Sequence, residues 1–352
     1  MTREFFIGYK RVADDEPPLI LAEVGGNHQG RLDIAKLLIQ AAADCGVDAV
    51  KFQKRENKSL YTEAMYNSPY HSENAFGPTY GLHREALELG WEEYVELKQY
   101  AESLGLLLFA TAFDVPSVDF LCKLGVPALK VASGDLQSIP LIRYMATTGK
   151  PIIVSTGGGT LEDVRRVVEA IDWQPGQLCL LQCTASYPVE PMEVNLRVIE
   201  TYRAAFPDVV IGLSDHYDGI LTGPLAYLLG ARVFEKHFTM HHTWKGADHA
   251  FSLEPPGMRR FVRDLHRVPE LLGDGIKRVY DSERPGLKKM GKSLVATVDL
   301  EAGQPLTFEN IKLQSPAGGL PAWKIDKLTG RRLQKPLGEG EIITSSDVVE
   351  PL

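Results

Sequence analysis

The sequence predicts an α/β chain in which a (β/α)8 TIM barrel is followed by a small β-rich domain. Three observations carry that expectation. From Leu19 to about Gly273, short apolar runs alternate with amphipathic helical stretches eight times in about 255 residues, and an eightfold parallel barrel requires this strict βα alternation. No GxGxxG fingerprint follows the first apolar run, which weakens the alternative of a doubly wound open sheet. From Lys292 the texture changes to short β-like runs broken by turn residues.

In chain order, strands are expected at Leu19–Val24, Val47–Gln53, Leu106–Ala112, Ala128–Ala132, Pro151–Ser155, Leu178–Cys183, Val209–Leu213 and Arg232–His237. The first helix, Leu32–Cys45, repeats apolar residues at helical spacing and stops at Gly46. Further helices are expected at Trp91–Leu104, Pro116–Leu124, Ile139–Thr147, Leu161–Ile171, Leu196–Phe206, Gly219–Leu229 and Pro256–Leu272. The barrel thus spans residues 1–273, a charged, Gly- and Pro-punctuated linker 274–291, and the β-rich domain 292–352. That last domain holds an internal repeat: Leu300 to Ile311 and Leu337 to Val348 carry Leu, Gly, Thr, Asn or Asp and a β-branched residue in phase. Two copies of one unit suggest a pseudo-symmetric fold, too small to have much core of its own and expected to lean on the barrel or a second subunit.

One connection is out of proportion. Residues 54–90, after the second strand, far exceed the usual 2–6 residues of a βα loop, a length that points to function. It contains Tyr80-Gly81-Leu82-His83-Arg84-Glu85, dense in hydrogen-bonding groups.

With 44% hydrophobic and 24% charged residues in 352, the composition is that of an ordinary globular protein. Formal net charge is −8, with no basic block, so nucleic-acid and anionic-membrane partners are poor guesses. No apolar run approaches the ~18–20 residues that cross a bilayer, and no signal-peptide pattern opens the chain. Four cysteines without CxxC spacing read as thiols of a reducing compartment, and hence a cytoplasmic protein. Cys179 and Cys183 would lie roughly 13 Å apart on an extended strand, which excludes a shared metal or disulfide there.

Barrels of this class carry their chemistry at the C-terminal ends of strands and in the loops that follow. Those positions are Glu23 on the first strand, Lys51 and Gln53 on the second, Thr111 and Asp114 on the third, and Lys130 and Ser133 on the fourth. Ser155 follows on the fifth, Thr184, Ser186 and Tyr187 on the sixth, Ser214 to His216 on the seventh and Glu235 to His237 on the eighth. A lysine at a strand end is by default a solvated or ion-paired group. Lys51 and Lys130, however, sit inside apolar runs, and a buried lysine needs an anionic partner. With Ser133, Ser155 and the glycine turn after it, they form a cradle for phosphate and carboxylate. A strand-end histidine is commonly a hydrogen-bonded core residue; His216 and His237 on adjacent strands also suit a divalent metal with open positions for water and substrate. Glu23 is either a bland barrel-mouth group or an acid/base carboxylate. Asp248, in the loop after the last strand, is by default solvated but could close over the same pocket.

Several stretches resemble the sialic acid synthases: Glu23-Val24-Gly25-Gly26-Asn27-His28-Gln29-Gly30, Val50-Lys51-Phe52-Gln53, Lys130-Val131-Ala132-Ser133-Gly134-Asp135, Ser155-Thr156-Gly157-Gly158, Ser214-Asp215-His216, Glu235-Lys236-His237-Phe238-Thr239 and Asp248-His249-Ala250-Phe251-Ser252-Leu253. The last 60 residues look like the antifreeze-like (SAF) domain of those enzymes. The resemblance runs in order along nearly the whole chain. It implies condensation of phosphoenolpyruvate with an aldose, typically N-acetylmannosamine or its 6-phosphate, to a nine-carbon 2-keto-3-deoxy acid and phosphate. By the same resemblance, His216 and His237 would bind Mn²⁺ (or Mg²⁺ or Co²⁺). Lys51, Gln53, Thr111, Lys130, Ser133, Ser155, Tyr187 and Ser214 would hold phosphoenolpyruvate and help orient the sugar. Glu23 would orient or deprotonate the water that attacks C2, and Asp248 would contact sugar hydroxyls. The family also implies a homodimer with each tail over the partner's barrel.

Two positions depart from the family pattern. Ser315 stands where an arginine before a Pro-Gly turn contacts the sugar's N-acetyl group from the neighbouring subunit, and serine cannot reproduce that long charged contact. Ala185 stands where an asparagine often precedes the tyrosine. Both departures fall on the sugar side, so the expectation is a kept reaction with an aldose other than plain N-acetylmannosamine, with Tyr80, His83 or Arg84 supplying replacement contacts. The alternative is a related synthase making a legionaminic-type or octulosonic acid. A binding protein that kept the barrel and lost the chemistry is opposed by Glu23, Lys51, Lys130, His216 and His237 together.

Overall fold

The structure, a computed structural model, describes residues 3–349 and divides into two compact units, Met1–Leu272 and Gly273–Leu352. The first begins with an antiparallel hairpin, β1 (Glu4–Ile7) and β2 (Lys10–Ala13). Eight parallel strands follow: β3 (Leu19–Gly25), β4 (Ala49–Lys54), β5 (Leu107–Ala112), β6 (Leu129–Val131), β7 (Ile152–Ser155), β8 (Leu178–Cys183), β9 (Val210–Asp215) and β10 (Val233–His237). β10 pairs with β9 on one side and β3 on the other, with His237 opposite Glu23. The sheet is therefore a closed barrel in the order β10-β3-β4-β5-β6-β7-β8-β9, and the open-sheet alternative is excluded.

The strands read as continuous apolar runs because both faces are covered, one by the barrel interior and the other by helices. Every expected strand is present with ends moved by at most two residues, and every expected helix by at most three. Local chemistry explains the helix ends. Gly46 and Gly125 terminate helices in the left-handed region, at φ 82° and 76°, where a Cβ would be strained. Asp114 caps the helix Val115–Leu124 by accepting from Ser117 N at 2.8 Å, and its other oxygen accepts from Glu56 N at 2.8 Å. This strand-end carboxylate is thus a structural cap.

The barrel interior tolerates little change. A Cβ on Gly212 of β9 would stand 2.3 Å from Val233 O and 2.5 Å from Leu181 Cδ2, because the neighbouring strand's backbone fills the space. Gly212→Ala is expected to destabilise the first unit by about 1–3 kcal/mol, read as a lowered urea midpoint with an unchanged m-value.

The hairpin β1–β2 was not expected from the sequence. Phe5, Ile7 and Val12 are buried in the main apolar core, and Phe6 N donates to Gly176 O at 2.9 Å, just before β8. Lys10 pairs with Asp48, just before β4. These contacts lie at the N-terminal ends of barrel strands, so the hairpin closes the bottom of the barrel and leaves the opposite mouth for chemistry.

The long connection after β4 is ordered into three short helices, Asn57–Leu60, Glu63–Tyr66 and Tyr80–Glu85. It is tied to the loop after β10: Asn74 Oδ1 accepts from Gly246 N at 3.0 Å, and Lys245 lies 4.8 Å from the Phe76 ring centre.

In the second unit, the linker region contains a helix, Arg284–Met290, started by Pro285 in its first turn. β11 (Ser293–Ala296) pairs antiparallel with β12 (Ile311–Gln314). The internal repeat is structural. Leu300 and Leu337 exchange reciprocal backbone bonds of 2.8 and 2.9 Å. Thr307 N donates to Asn310 Oδ1 and Thr344 N to Asp347 Oδ2, both at 2.7 Å, while Gly303 and Gly340 have φ of 82° and 81°. Eleven buried apolar residues, among them Leu294, Leu306, Leu328 and Ile343, form a core separate from that of the barrel, which corrects the expectation of a unit with little core of its own.

Candidate active site

Side chains alternate across a strand, and that period sorts the polar strand ends into two sets. On β9, Ser214 and, just beyond it, His216 face a cavity of about 390 Å³ at the barrel mouth. Asp215 instead accepts from Thr222 Oγ1 at 2.5 Å and Lys236 Nζ at 2.7 Å. On β10, Glu235 and His237 face the cavity while Lys236 makes that buried pair with Asp215. On β4, Lys51, Gln53 and, two residues on, Arg55 line the same space. The cavity also gathers Glu23, Arg84, Thr111, Lys130, Ser133, Ser155, Tyr187 and Asp248. Of the residues expected to catalyse or to bind substrate or metal, all but Tyr80 and His83 line it, whereas Asp114, Thr184, Ser186, Asp215 and Lys236, also read as strand-end positions, do not.

One side is cationic. Lys51 Nζ lies 2.6 Å from Glu23 Oε2 and 3.4 Å from Glu235 Oε1, and it donates to Thr111 Oγ1 at 2.9 Å. Lys130 Nζ donates to Ser155 Oγ at 2.6 Å and stands 3.8 Å from Glu235 Oε2. Ser214 Oγ donates to Glu235 Oε1 at 3.4 Å. Burial works against charge on both lysines. At Lys51 the carboxylates of Glu23 and Glu235 outweigh it and hold the ammonium charged; at Lys130 burial wins and the pKa falls below the usual lysine range. Burial pushes Glu235 up, but Lys130 and Lys51 overcome it and hold the group below the ordinary carboxylate value. Burial pushes Glu23 up to about 7, against the pull of Lys51 and with the help of nearby Glu235. Ser133 Oγ accepts from Gly157 N at 3.0 Å, so the glycine turn and the serine are held together.

The other side is imidazole. The ring centres of His216 and His237 are 5.3 Å apart. His216 Nδ1 lies 2.9 Å from Thr184 O; a carbonyl only accepts, so Nδ1 carries the hydrogen and the Nε2 lone pair is left free. His237 Nδ1 is buried without a hydrogen-bond partner, and Asp248 Oδ2 is 3.9 Å away. Burial lowers the His237 pKa, favouring the neutral ring that a metal requires. Tyr187 covers His216 at 4.1 Å and Phe251 flanks His237 at 5.0 Å between ring centres. Among the described residues no group of three or more His, Cys, Asp or Glu side chains is placed to hold a metal. His237, whose buried Nδ1 has no partner, and His216 supply two imidazoles, fewer than such a group. Cys183 Sγ lies 3.9 Å from His216 Nδ1, and all four cysteines are free thiols.

A smaller cavity of about 70 Å³ adjoins, sharing Gln53, Arg55, Arg84 and Asp248 with the first and adding His28, Tyr70, Phe76 and His83. Tyr80 lies behind this wall: its hydroxyl accepts from Arg84 Nε and Nη2 at 3.2 and 3.1 Å. Of the two departures from the family pattern, Ala185 lines the main cavity, where its Cβ would stand 2.9 Å from a Cβ built on Gly157. Ser315, in the second unit, donates to Met290 O at 3.2 Å. Arg55, a charged residue of the cavity, was not singled out from the sequence. It shares a strand face with Lys51 and Gln53, and the two-residue period could have found it.

The NeuB family model matches residues 38–277, and the SAF domain model matches residues 291–349. The chain is 39% identical over 334 residues to the N-acetylneuraminate-9-phosphate synthase of Homo sapiens, covering 94% of this chain and 93% of that protein. It is 36% identical to the N,N'-diacetyllegionaminic acid synthase of Legionella pneumophila, covering 91% and 92%. Among solved structures, the N-acetylneuraminic acid synthetase of Leptospira borgpetersenii superposes with a TM-score of 0.70 at 31% identity, covering 82% of this chain and 96% of that one.

Proposed function

The chain belongs to the NeuB family and is an enzyme of the sialic and related ulosonic acid synthases, and from that premise we propose that it condenses phosphoenolpyruvate with an aldose. C3 of phosphoenolpyruvate bonds to the aldehyde carbon, whose oxygen takes up a proton. Water adds at C2, and the C2–O bond to phosphate breaks, giving a 2-keto-3-deoxy sugar acid of the nonulosonic type and inorganic phosphate. One observation carries the reading: a single cavity holds two buried lysines on one wall, two imidazoles on another, and Glu23 beside Lys51.

Each side chain has a task on this reading. Lys51 and Lys130, now neutralised by Glu23 and Glu235, would exchange those partners for the phosphate and carboxylate of phosphoenolpyruvate, with Thr111, Ser133, Ser155 and Ser214 donating. Glu23, poised near neutrality, would take the proton of the attacking water. Tyr187, Gln53, Arg84 and Asp248 would orient the sugar. His216 and His237 would hold a divalent ion such as Mn²⁺, Mg²⁺ or Co²⁺, which supplies Lewis acidity toward the aldehyde carbonyl. Ala185, which offers the cavity only a methyl group, favours an aldose other than plain N-acetylmannosamine, including legionaminic-type acceptors.

Phosphate release from phosphoenolpyruvate, measured across a panel of aldoses, tests this. Release should require an aldose, fall on the order of 100-fold after chelation and return with Mn²⁺; His216→Ala should lose the Mn²⁺ response. Equal release without any aldose would count against the condensation, and clear preference for N-acetylmannosamine against the altered acceptor. We further read the enzyme as a cytoplasmic homodimer, which sedimentation of the full chain checks; among the described residues no helix is long and apolar enough to cross a membrane.

A further inference from the structure

We propose that the buried ion pair of Asp215 and Lys236 is a positioning device for the two histidines: it fixes the chain just beyond His216 and so sets the separation of the His216 and His237 rings. The inference rests on the ion-holding role proposed above for those rings and concerns what places them. The two are held unequally. His237 lies within β10, opposite Glu23. The chain that follows closes on it, with Leu253 N donating to His237 O and Phe238 N to Glu23 O, both at 2.8 Å. His216 lies one residue past the end of β9, and the β9–β10 register stops at Asp215 opposite Lys236. Val189 N donates to the His216 carbonyl at 3.2 Å, and Thr184 O accepts from its Nδ1, but both of these partners belong to the loop after β8.

The ion pair ties His216 to β10. Lys236 directly precedes His237, and its ammonium donates to Asp215 Oδ2 at 2.7 Å and to Tyr217 O. Asp215 Oδ1 accepts from Tyr217 N at 3.0 Å. Its Oδ2 also accepts from Thr222 Oγ1 at 2.5 Å, at the start of the helix Thr222–Leu228. The peptide joining His216 to Tyr217 is thus held through its N–H, and the next peptide through its C=O. The side chains that hold them belong to the residues just before His216 and His237. Both side chains are at most 2% exposed, and neither lines the main cavity, so they act through the histidines and not on substrate. Stability alone is a poor reason for such a pair, because desolvation offsets the attraction and apolar side chains of the same volume commonly do as well. Apolar side chains cannot grip the two polar backbone groups of Tyr217. Groups behind a metal ligand that fix its orientation act on affinity in this way. The Lys51 and Lys130 seat stands on β4 and β6 and does not share this anchor.

The test measures Mn²⁺ affinity of the full-length enzyme by calorimetry, beside KM for phosphoenolpyruvate and the urea midpoint, in the wild type, the double variant Asp215→Asn/Lys236→Met and Lys236→Arg. The double variant leaves no orphaned charge and keeps an oxygen for Tyr217 N, so what it loses is the hold on Tyr217 O. It should bind Mn²⁺ about 10- to 100-fold more weakly, with KM for phosphoenolpyruvate unchanged and the rings no longer 5.3 Å apart in its crystal structure. Lys236→Arg keeps the charge but not the compact ammonium; it guards against a double variant that does not fold, and it should also bind Mn²⁺ more weakly than the wild type. Wild-type Mn²⁺ affinity in the double variant, or in Lys236→Arg should the double variant not fold, would show the pair to be structural only and overturn the assignment, whatever the urea midpoint. If the wild type itself binds no Mn²⁺, Mg²⁺ or Co²⁺, the ion-holding role fails on its own account. The positioning is then judged by the crystal structure of the same variant: ring centres displaced by more than about 0.5 Å sustain it, and unchanged ones reject it.

Discussion

Lys51→Met is expected to lower turnover by more than about 10³-fold and to cost about 3–5 kcal/mol of stability. Lys51 is the point at which both functional carboxylates meet a charge. Its Nζ stands 2.6 Å from Glu23 and 3.4 Å from Glu235, with all three side chains at most 6% exposed. Methionine fills similar volume, so the cost is electrostatic. Glu23 would lose its counter-ion, and Glu235 would keep only Lys130 at 3.8 Å. One carboxylate would then stay protonated near neutral pH, and phosphoenolpyruvate would lose half of its cationic seat. Lys51→Met combined with Glu23→Gln separates the two effects. The double variant should recover part of the stability, since an orphaned charge is gone, and none of the turnover. Urea denaturation and phosphate release read the two outcomes. A single variant as stable as wild type would mean that the triad contributes little, and one with substantial turnover would remove Lys51 from the substrate seat.

Most of the barrel was legible because burial on both faces leaves an unbroken apolar run, and eight such runs in order have few other solutions. The hairpin Glu4–Ala13 was missed for the opposite reason. It is short, half of its residues face away from the core, and its partners lie far along the chain, Gly176 and Asp48 among them. The helix Arg284–Met290 was hidden by Pro285 and Gly286, which read as loop, although proline is at home in a first helical turn. In the cavity, the sequence pointed to the strand ends and left open which neighbour turns inward. In Glu235-Lys236-His237 the central lysine is the one turned away, onto Asp215, and the two-residue period of a strand decides that. Tyr80 is a different case. Its loop contributes Arg84 to the cavity, but the Tyr80 hydroxyl holds Arg84, a contact that depends on the fold of the short helix and on no pattern of spacing.

Glu23→Gln should reduce kcat/KM by about 10²–10⁴ and erase the acid limb of its pH profile. Burial raises the Glu23 carboxyl to about 7, Lys51 pulls it down, and Glu235 raises it again. A base must be ionised to accept a proton. In wild type, kcat/KM should therefore climb about tenfold per pH unit below pH 7 and level off above it, reporting the free enzyme. The stability consequence has its own sign. Because the folded pKa lies above the ordinary 4.5, the native state holds its proton more tightly than the unfolded chain. That contribution is fully present below about pH 4.5 and is lost as pH rises through about 7. Glutamine carries no charge at any of these values, so the variant should gain stability relative to wild type as pH goes from 5 to 8. Gln53 Nε2, which now donates to Glu23 Oε1 at 2.9 Å, would still find an amide oxygen there, so the wall keeps its shape while the base is gone. Retention of the acid limb in Glu23→Gln would assign that proton to another group, with Glu235, in the same ion-pair cluster, the first to examine.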